Sequence, residues 1–195
     1  MTSRRHRSRT PNPKGDEHGC LPGARDGTPS VISSTVVLAR AKGQIGLHTI
    51  YRLGHGGFRP EATQAADVDK LCDCSGFIAW CLCVSRHTDN PWYRKQNGGW
   101  LETSAIYRDC DTPFGFFDKI EWEAARPTDL LVWGDSGGHQ GHVGMVAEID
   151  EWGPKYVIHC SKGNFKSLGD AISQTPVAIF KQHDARVARC AWVEP

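Results

Sequence analysis

The sequence predicts an α+β domain, with helices first and a meandering antiparallel sheet after them. Two windows in the first half repeat apolar residues at helical spacing. From residue 129 onward the chain breaks into short runs rich in β-branched and aromatic residues, separated by Gly, Pro and Asp. Helices gathered ahead of the strands favour an antiparallel sheet with the helices packed on it. No internal repeat interrupts this order.

Residues 1–30 are expected to form a separate tail, and residues 31–195 the folded domain. The opening "MTSRRHRSRTPNPKG" has four arginines and a lysine, no acid and no apolar run, which reads as a basic, disordered segment. Arg4 and Arg5 are not followed by the apolar stretch of an export signal. No stretch approaches the ~20 apolar residues of a membrane span. The expectation is a chain made in the cytoplasm that stays there or leaves by a route independent of an N-terminal signal. A net charge of +1 gives no reason to expect nucleic-acid binding. A monomer is expected.

The first helix should begin at Ser33 or Ser34 as N-cap, with Val37, Ala41, Ile45 and His48 recurring along it and Gly46 closing it. A glycine-rich turn, "YRLGHGG", and a polar loop to residue 70 follow. A second helix is expected over 74–85. Residues 86–127 carry eight aromatic side chains without clean periodicity and read as a long ordered connection with one short helix near 101–108. Five runs then read as strands: "DLLVWG", "HVGMVAEID", "KYVIHCSK", "PVAIFKQHD" and "ARCAWVEP". The "EWGPK" between the second and third is hairpin-like.

Eight cysteines are many for a chain without an export signal, and reduced, mostly buried thiols are the expectation. Half of them fall in "CDCSGFIAWCLC" (72–83), which admits three readings. Zinc is disfavoured, because ligand pairs usually follow C-x2-C or longer spacing, and on a helix Cys81 and Cys83 point about 200° apart. A disulfide framework is disfavoured by compartment and spacing. The third reading is a nucleophile. Asp73 is a good N-cap, which places Cys74 in the first turn, where unpaired N–H groups and the helix dipole stabilise a thiolate. Phe77, Ile78, Cys81 and Leu82 would bury the other face, leaving Cys74 exposed and reactive.

A cysteine nucleophile needs a base, and the base an orienting partner. Two histidines lie on predicted strands. In "GHVGMVAEID" the apolar parity is Val143, Met145, Ala147 and Ile149, with His142 opposite. In "YVIHCSKGN" it is Tyr156, Ile158 and Cys160, with His159 opposite. If the two strands form a hairpin, both imidazoles share one side of the sheet.

Four segments, "LARAKGQIGLHTIYRLGHGG", "DCSGFIAW", "RPTDLLVWGDSGGHQGHVGMVAEI" and "YVIHCSKGN", occur in an order that resembles the NlpC/P60 cysteine peptidases. These are a papain-like group acting on bacterial cell walls. The resemblance spans roughly residues 34–165 and implies a papain-like fold, with N-terminal helices on a central antiparallel sheet. It implies Cys74 as nucleophile, His142 as base, His159 as the residue that orients it, and Tyr51 as an oxyanion donor. It places Asp73 and Ser75 where some members hold the substrate's free amino end. It also implies a peptidoglycan stem peptide as substrate, hydrolysed through an acyl-enzyme without a metal or other cofactor. No wall-anchoring repeat is visible in the sequence. The missing export signal suits an injected antibacterial effector, with an immunity or inhibitor protein as partner, or a phage lysis enzyme. Two alternatives stay open: a thiol acyltransferase or deamidase of the same fold acting on protein or lipid, and a non-catalytic zinc- or wall-binding module. An ion pair of Cys74 with His142 would give selective alkylation of Cys74 at mildly acid pH.

Overall fold

A computed structural model describes Cys20 and residues 30–195. The remaining residues of the expected basic tail lie outside the described residues. Among the described residues there are six α-helices and one six-stranded sheet, with strands in the order 117–120, 186–190, 130–133, 142–150, 153–160 and 172–176 and antiparallel throughout. The α+β expectation is met. None of the described helices is long and apolar enough to cross a membrane.

The front of the domain follows its caps. Strand β1 (Ile32–Ser33) leads into α1 (Ser34–Gly43), whose N-cap is Ser33, its hydroxyl accepting from Thr35 N–H. The helix ends at Gly43, before the expected Gly46, which instead takes a left-handed turn at φ 86°. Strand β2 (Ile50–Tyr51) pairs in parallel with β3 (Leu71–Cys72), setting Tyr51 opposite Cys72. Helix α2 (Cys74–Cys81) starts where Asp73 caps it, as expected, but stops four residues short of residue 85. The physical reason is at Cys83, which turns left-handed at φ 56° and cannot continue a helix.

The aromatic connection holds more structure than its sequence suggests. Helix α3 (Pro91–Asn97) is capped by Asn90 with proline in its first turn, and α4 (Thr103–Asp109) is capped by Glu102. Strand β4 (Phe117–Ile120) and a single 3-10 turn (Trp122–Ala124) complete the segment. Tyr93, Phe116, Phe117 and Trp192 pack ring against ring, so part of the aromatic load is core.

The sheet continues with β5 (Leu130–Trp133), β6 (His142–Asp150) and β7 (Gly153–Cys160), the last two forming the expected hairpin. Helix α5 (Lys162–Leu168) and β8 (Ile172–Pro176) follow, then α6 (Ala178–Lys181), β9 (Arg186–Cys190) and β10 (Val193–Glu194). The expected strand over 176–184 is therefore wrong. "VAIFK" closes as a short helix that drives Phe180 onto the sheet, and the edge strand lies just before it. Each sheet face has its own core. Val143, Met145, Ile158 and Leu130 meet Phe77 and Ile78 of α2 on one face, while Leu131, Val146, Val157 and Val187 meet Phe180 on the other. Each such side chain, fully buried, contributes about 1.5–3 kcal/mol.

One disulfide overturns the expectation of uniformly reduced thiols. Cys20 is bonded to Cys83, with Cα atoms 5.6 Å apart. The bond ties the N-terminal segment to the end of α2. It closes a loop of sequence separation 63, which the chain-entropy account values at roughly 4 kcal/mol. Cys83→Ser should therefore melt roughly 10 °C below wild type by calorimetry, and reductant should lower wild type alone. Equal melting temperatures with and without reductant would exclude the bond in solution.

Candidate active site

Cys74 is the first residue of α2, and its position rests on Asp73. The Asp73 carboxylate accepts from Gly76 N–H at 2.7 Å and Gly54 N–H at 2.6 Å, and pairs with Arg86 at 2.9 Å. Ser75 Oγ donates to the same carboxylate at 3.2 Å and lies 3.3 Å from Arg86 Nη2. Asp73 and Ser75 are both buried. In the resting structure their polar atoms are engaged with the helix start, the Gly54 turn and Arg86. Arg86, without a signal in the sequence, also donates to His55 O at 2.7 Å and Gly56 O at 3.3 Å.

Glycine is required where this loop meets the helix. A Cβ on Gly76 would sit 2.5 Å from His55 O, and one on Gly57, at φ 72°, would sit 2.2 Å from Gly76 O. The backbone contact holds the turn after Tyr51 against the first turn of α2. Tyr51 lies close to the Cys74 thiol. Burial, with Cys74 and Asp73 nearby, holds the phenol far above its ordinary pKa, so it remains a neutral donor.

The other half of the site comes from the sheet. The β6–β7 ladder runs only as far as Met145 opposite Ile158; beyond it β6 pairs with β5, and β7 with β8. The backbone N–H of Val143, on the strand that packs against α2, favours the Cys74 thiolate. Val143 is the residue next to His142 in β6, so the histidine end of that strand is the part of the sheet brought toward Cys74. The parity reading of the histidines is met in one respect: His142 Nε2 lies 2.6 Å from His159 Nδ1. Their side of the sheet is not solvated, however. Phe180 stacks on His142 with ring centres 5.6 Å apart, and Trp133 lies 5.3 Å from it. Gly144 makes room for this lid, since a Cβ there would meet Phe180 at 2.8 Å and His159 Cβ at 3.1 Å. His159 Nε2 in turn lies 2.9 Å from Thr175 Oγ1.

Burial dictates the protonation states. Cys74 is 3% exposed rather than exposed as expected. Its thiol is pushed up to about 12 by burial and by the Asp73 carboxylate, against the pull of the Val143 and Ser75 N–H groups. His142 is pushed down to about 3 by burial, with His159 and His183 adding to it, and His159 to about 4 by burial. The resting pair is a neutral thiol and a neutral imidazole. The expected ion pair, and with it preferential alkylation of Cys74 at mildly acid pH, does not follow from this geometry.

Among the other thiols, Cys160 lies by Cys72, its Sγ donating to Cys72 O at 3.4 Å. Cys83 is in the disulfide, Cys72 Sγ points to Ala65 O and Asp73 O, and Cys81 is buried near Arg40. No group of three or more His, Cys, Asp or Glu is placed to hold a metal among the described residues.

No family model and no curated protein matches this chain. Among solved structures, it is similar to a crystal structure described as similar to a lipoprotein of the NLP/P60 family, from Staphylococcus aureus subsp. aureus Mu50. The identity is 17% and the TM-score 0.41, over 83% of this chain and 42% of that one. This chain thus spans less than half the length of that protein.

Proposed function

We propose that the chain is a cysteine amidase or endopeptidase of the NlpC/P60 kind, hydrolysing an amide bond in the peptidoglycan stem peptide. The reading is carried by Cys74 at the start of α2, with Tyr51 close to its thiol, and by β6, packed on α2, where His142 and His159 meet at 2.6 Å. The motif resemblance over residues 34–165 supplies the substrate class.

With Nε2 facing His159, the Nδ1 of His142 is the nitrogen left to act as base. It takes the Cys74 proton as sulfur attacks the carbonyl carbon, in one concerted step, because the resting thiol is un-ionised. The tetrahedral oxyanion is met by the Cys74 N–H, which has no acceptor within its helix, and by the Tyr51 hydroxyl. His142 returns the proton to the leaving amine. Water, activated by the same imidazole, then cleaves the thioester and frees the thiol.

The Cys20–Cys83 disulfide supports work in an oxidising compartment. That agrees with a substrate outside the cytoplasm. An antibacterial effector or a phage lysis enzyme would fit.

Incubation with purified sacculi of several wall types, read by mass spectrometry, tests the proposal. New fragments differing by one hydrolysed amide are expected with wild type and not with Cys74→Ala. Unchanged muropeptides from every wall type would sink it. A mass change in a protein or lipid with intact sacculi would move the same site to acyl transfer or deamidation.

A further inference from the structure

We infer that Thr175 is a positioning residue of this site, fixing through His159 the tautomer in which His142 can accept a proton. The inference rests on the hydrolase reading for its catalytic consequence, but not for its structural part.

A base at His142 Nδ1 needs a lone pair there, so the neutral ring carries its proton on Nε2. That N–H points at His159 Nδ1, 2.6 Å away, which must therefore be an acceptor. The neutral His159 ring then carries its proton on Nε2 and needs an acceptor of its own. Two side chains lie within reach of that atom. Asn164 presents its Nδ2 at 3.4 Å, and this nitrogen is 3.2 Å from the carbonyls of both His159 and Ala171. Two carbonyls take its two hydrogens, so the amide offers His159 no lone pair. Thr175 Oγ1, at 2.9 Å, offers one.

The direction of each bond in the row is thereby set by the oxygen at its far end. Without that oxygen, His159 could carry its proton on Nδ1. It would then donate to His142 Nε2 and leave His142 with N–H at Nδ1, a donor where the base needs a lone pair. The row stays unidirectional during turnover. When the thiol proton reaches His142, that ring becomes an imidazolium with both nitrogens protonated, and no further proton has to move. Burial, which holds His159 down to about 4, keeps the second ring neutral throughout.

The arrangement also explains the pairing geometry. His159 lies directly opposite Ser173 in the β7–β8 ladder, and Thr175 opposite Val157, so Thr175 reaches His159 on the diagonal, on the same face. An edge strand thus carries the far end of the row.

The test uses Thr175→Val, which keeps the shape and removes the oxygen, and Thr175→Ser, which keeps the oxygen. In 15N-histidine-labelled protein, long-range 1H–15N spectra read the tautomer of each ring without any substrate. Wild type and Thr175→Ser are expected to show His159 protonated at Nε2, and Thr175→Val to shift His159 and His142 together toward the Nδ1–H forms. On soluble muropeptides Thr175→Val should lose roughly tenfold or more in kcat, with KM little changed and Thr175→Ser restoring the rate. Unchanged tautomers in folded Thr175→Val, or a serine variant as impaired as the valine one, would overturn the inference. A tautomer shift with no muropeptide cleavage by wild type would uphold the positioning role and reject the hydrolase reading instead.

Discussion

His142→Ala is expected to lower hydrolysis of soluble muropeptides at pH 7 by about 10²–10⁴-fold, the usual worth of a positioned general base. It should also change the shape of the pH profile. With the Cys74 thiol held up to about 12, only about one molecule in 10⁵ carries a thiolate at pH 7. On the proposed mechanism wild type circumvents this, with His142 taking the proton during attack. Burial pushes that imidazole down to about 3, so its base form predominates from about pH 4 upward. Wild-type rates should accordingly show no acid limb near the ordinary histidine value of about 6.5. In the alanine variant the thiol must ionise by itself. Its rate should climb about tenfold per pH unit from 7 to 10, still below the thiol's own value. Alkylation of Cys74 by iodoacetamide should follow the same slope in both proteins, because that reagent uses the thiolate alone. A loss of under tenfold, or parallel hydrolysis profiles for the two proteins, would remove His142 from the role of base.

The two halves of this site differ in how far they could be read from the sequence. Asp73 as N-cap, and so Cys74 at the helix start, followed from "DCSG", because capping depends on a few neighbouring residues. The facing of His142 and His159 followed from strand parity, because the period of a strand is fixed. Burial of the site did not follow. The lid over the imidazoles is Phe180, in a run whose β-branched and aromatic content mimics a strand, and its helical turn is decided by packing on β5–β7. Thr175 was hidden by the same misreading, since the edge strand carrying it, "ISQTP", has little apolar signal. The Cys20–Cys83 bond joins residues far apart in sequence, and spacing within 72–83 cannot report such a pair. Arg86 was illegible for a related reason: a lone arginine in "VSRHT" looks like any solvated cation until the fold turns it inward onto Asp73.

That inward turn sets the second large expectation. Asp73→Ala should destabilise the domain by roughly 3–5 kcal/mol in urea unfolding, the scale for breaking one side of a buried ion pair. Three losses coincide there. The side chains of Arg86 and Asp73 are 4% and 1% exposed, so the guanidinium is left charged and nearly dry. The N–H groups of Gly76 and Gly54 lose their acceptor. The turn at 54–57 also loses its clamp to α2, since Arg86 grips His55 O and Gly56 O from the same position. Asp73→Asn separates these effects. Its amide oxygen can still cap Gly76, so the cost remaining is mainly the unpaired charge. Removing that charge as well, in Asp73→Asn with Arg86→Met, should be less damaging than the two single losses added together, and the difference measures the pair directly. Additive losses would mean that Arg86 is already well solvated and the pair is incidental. The activity of whatever remains folded carries independent information, because Tyr51 enters the site from β2, immediately before this turn. If the clamp serves to hold Tyr51 against the Cys74 thiol, Asp73→Asn should lose turnover under conditions where it is still fully folded. Unchanged turnover in the folded variant would confine Asp73 to stability.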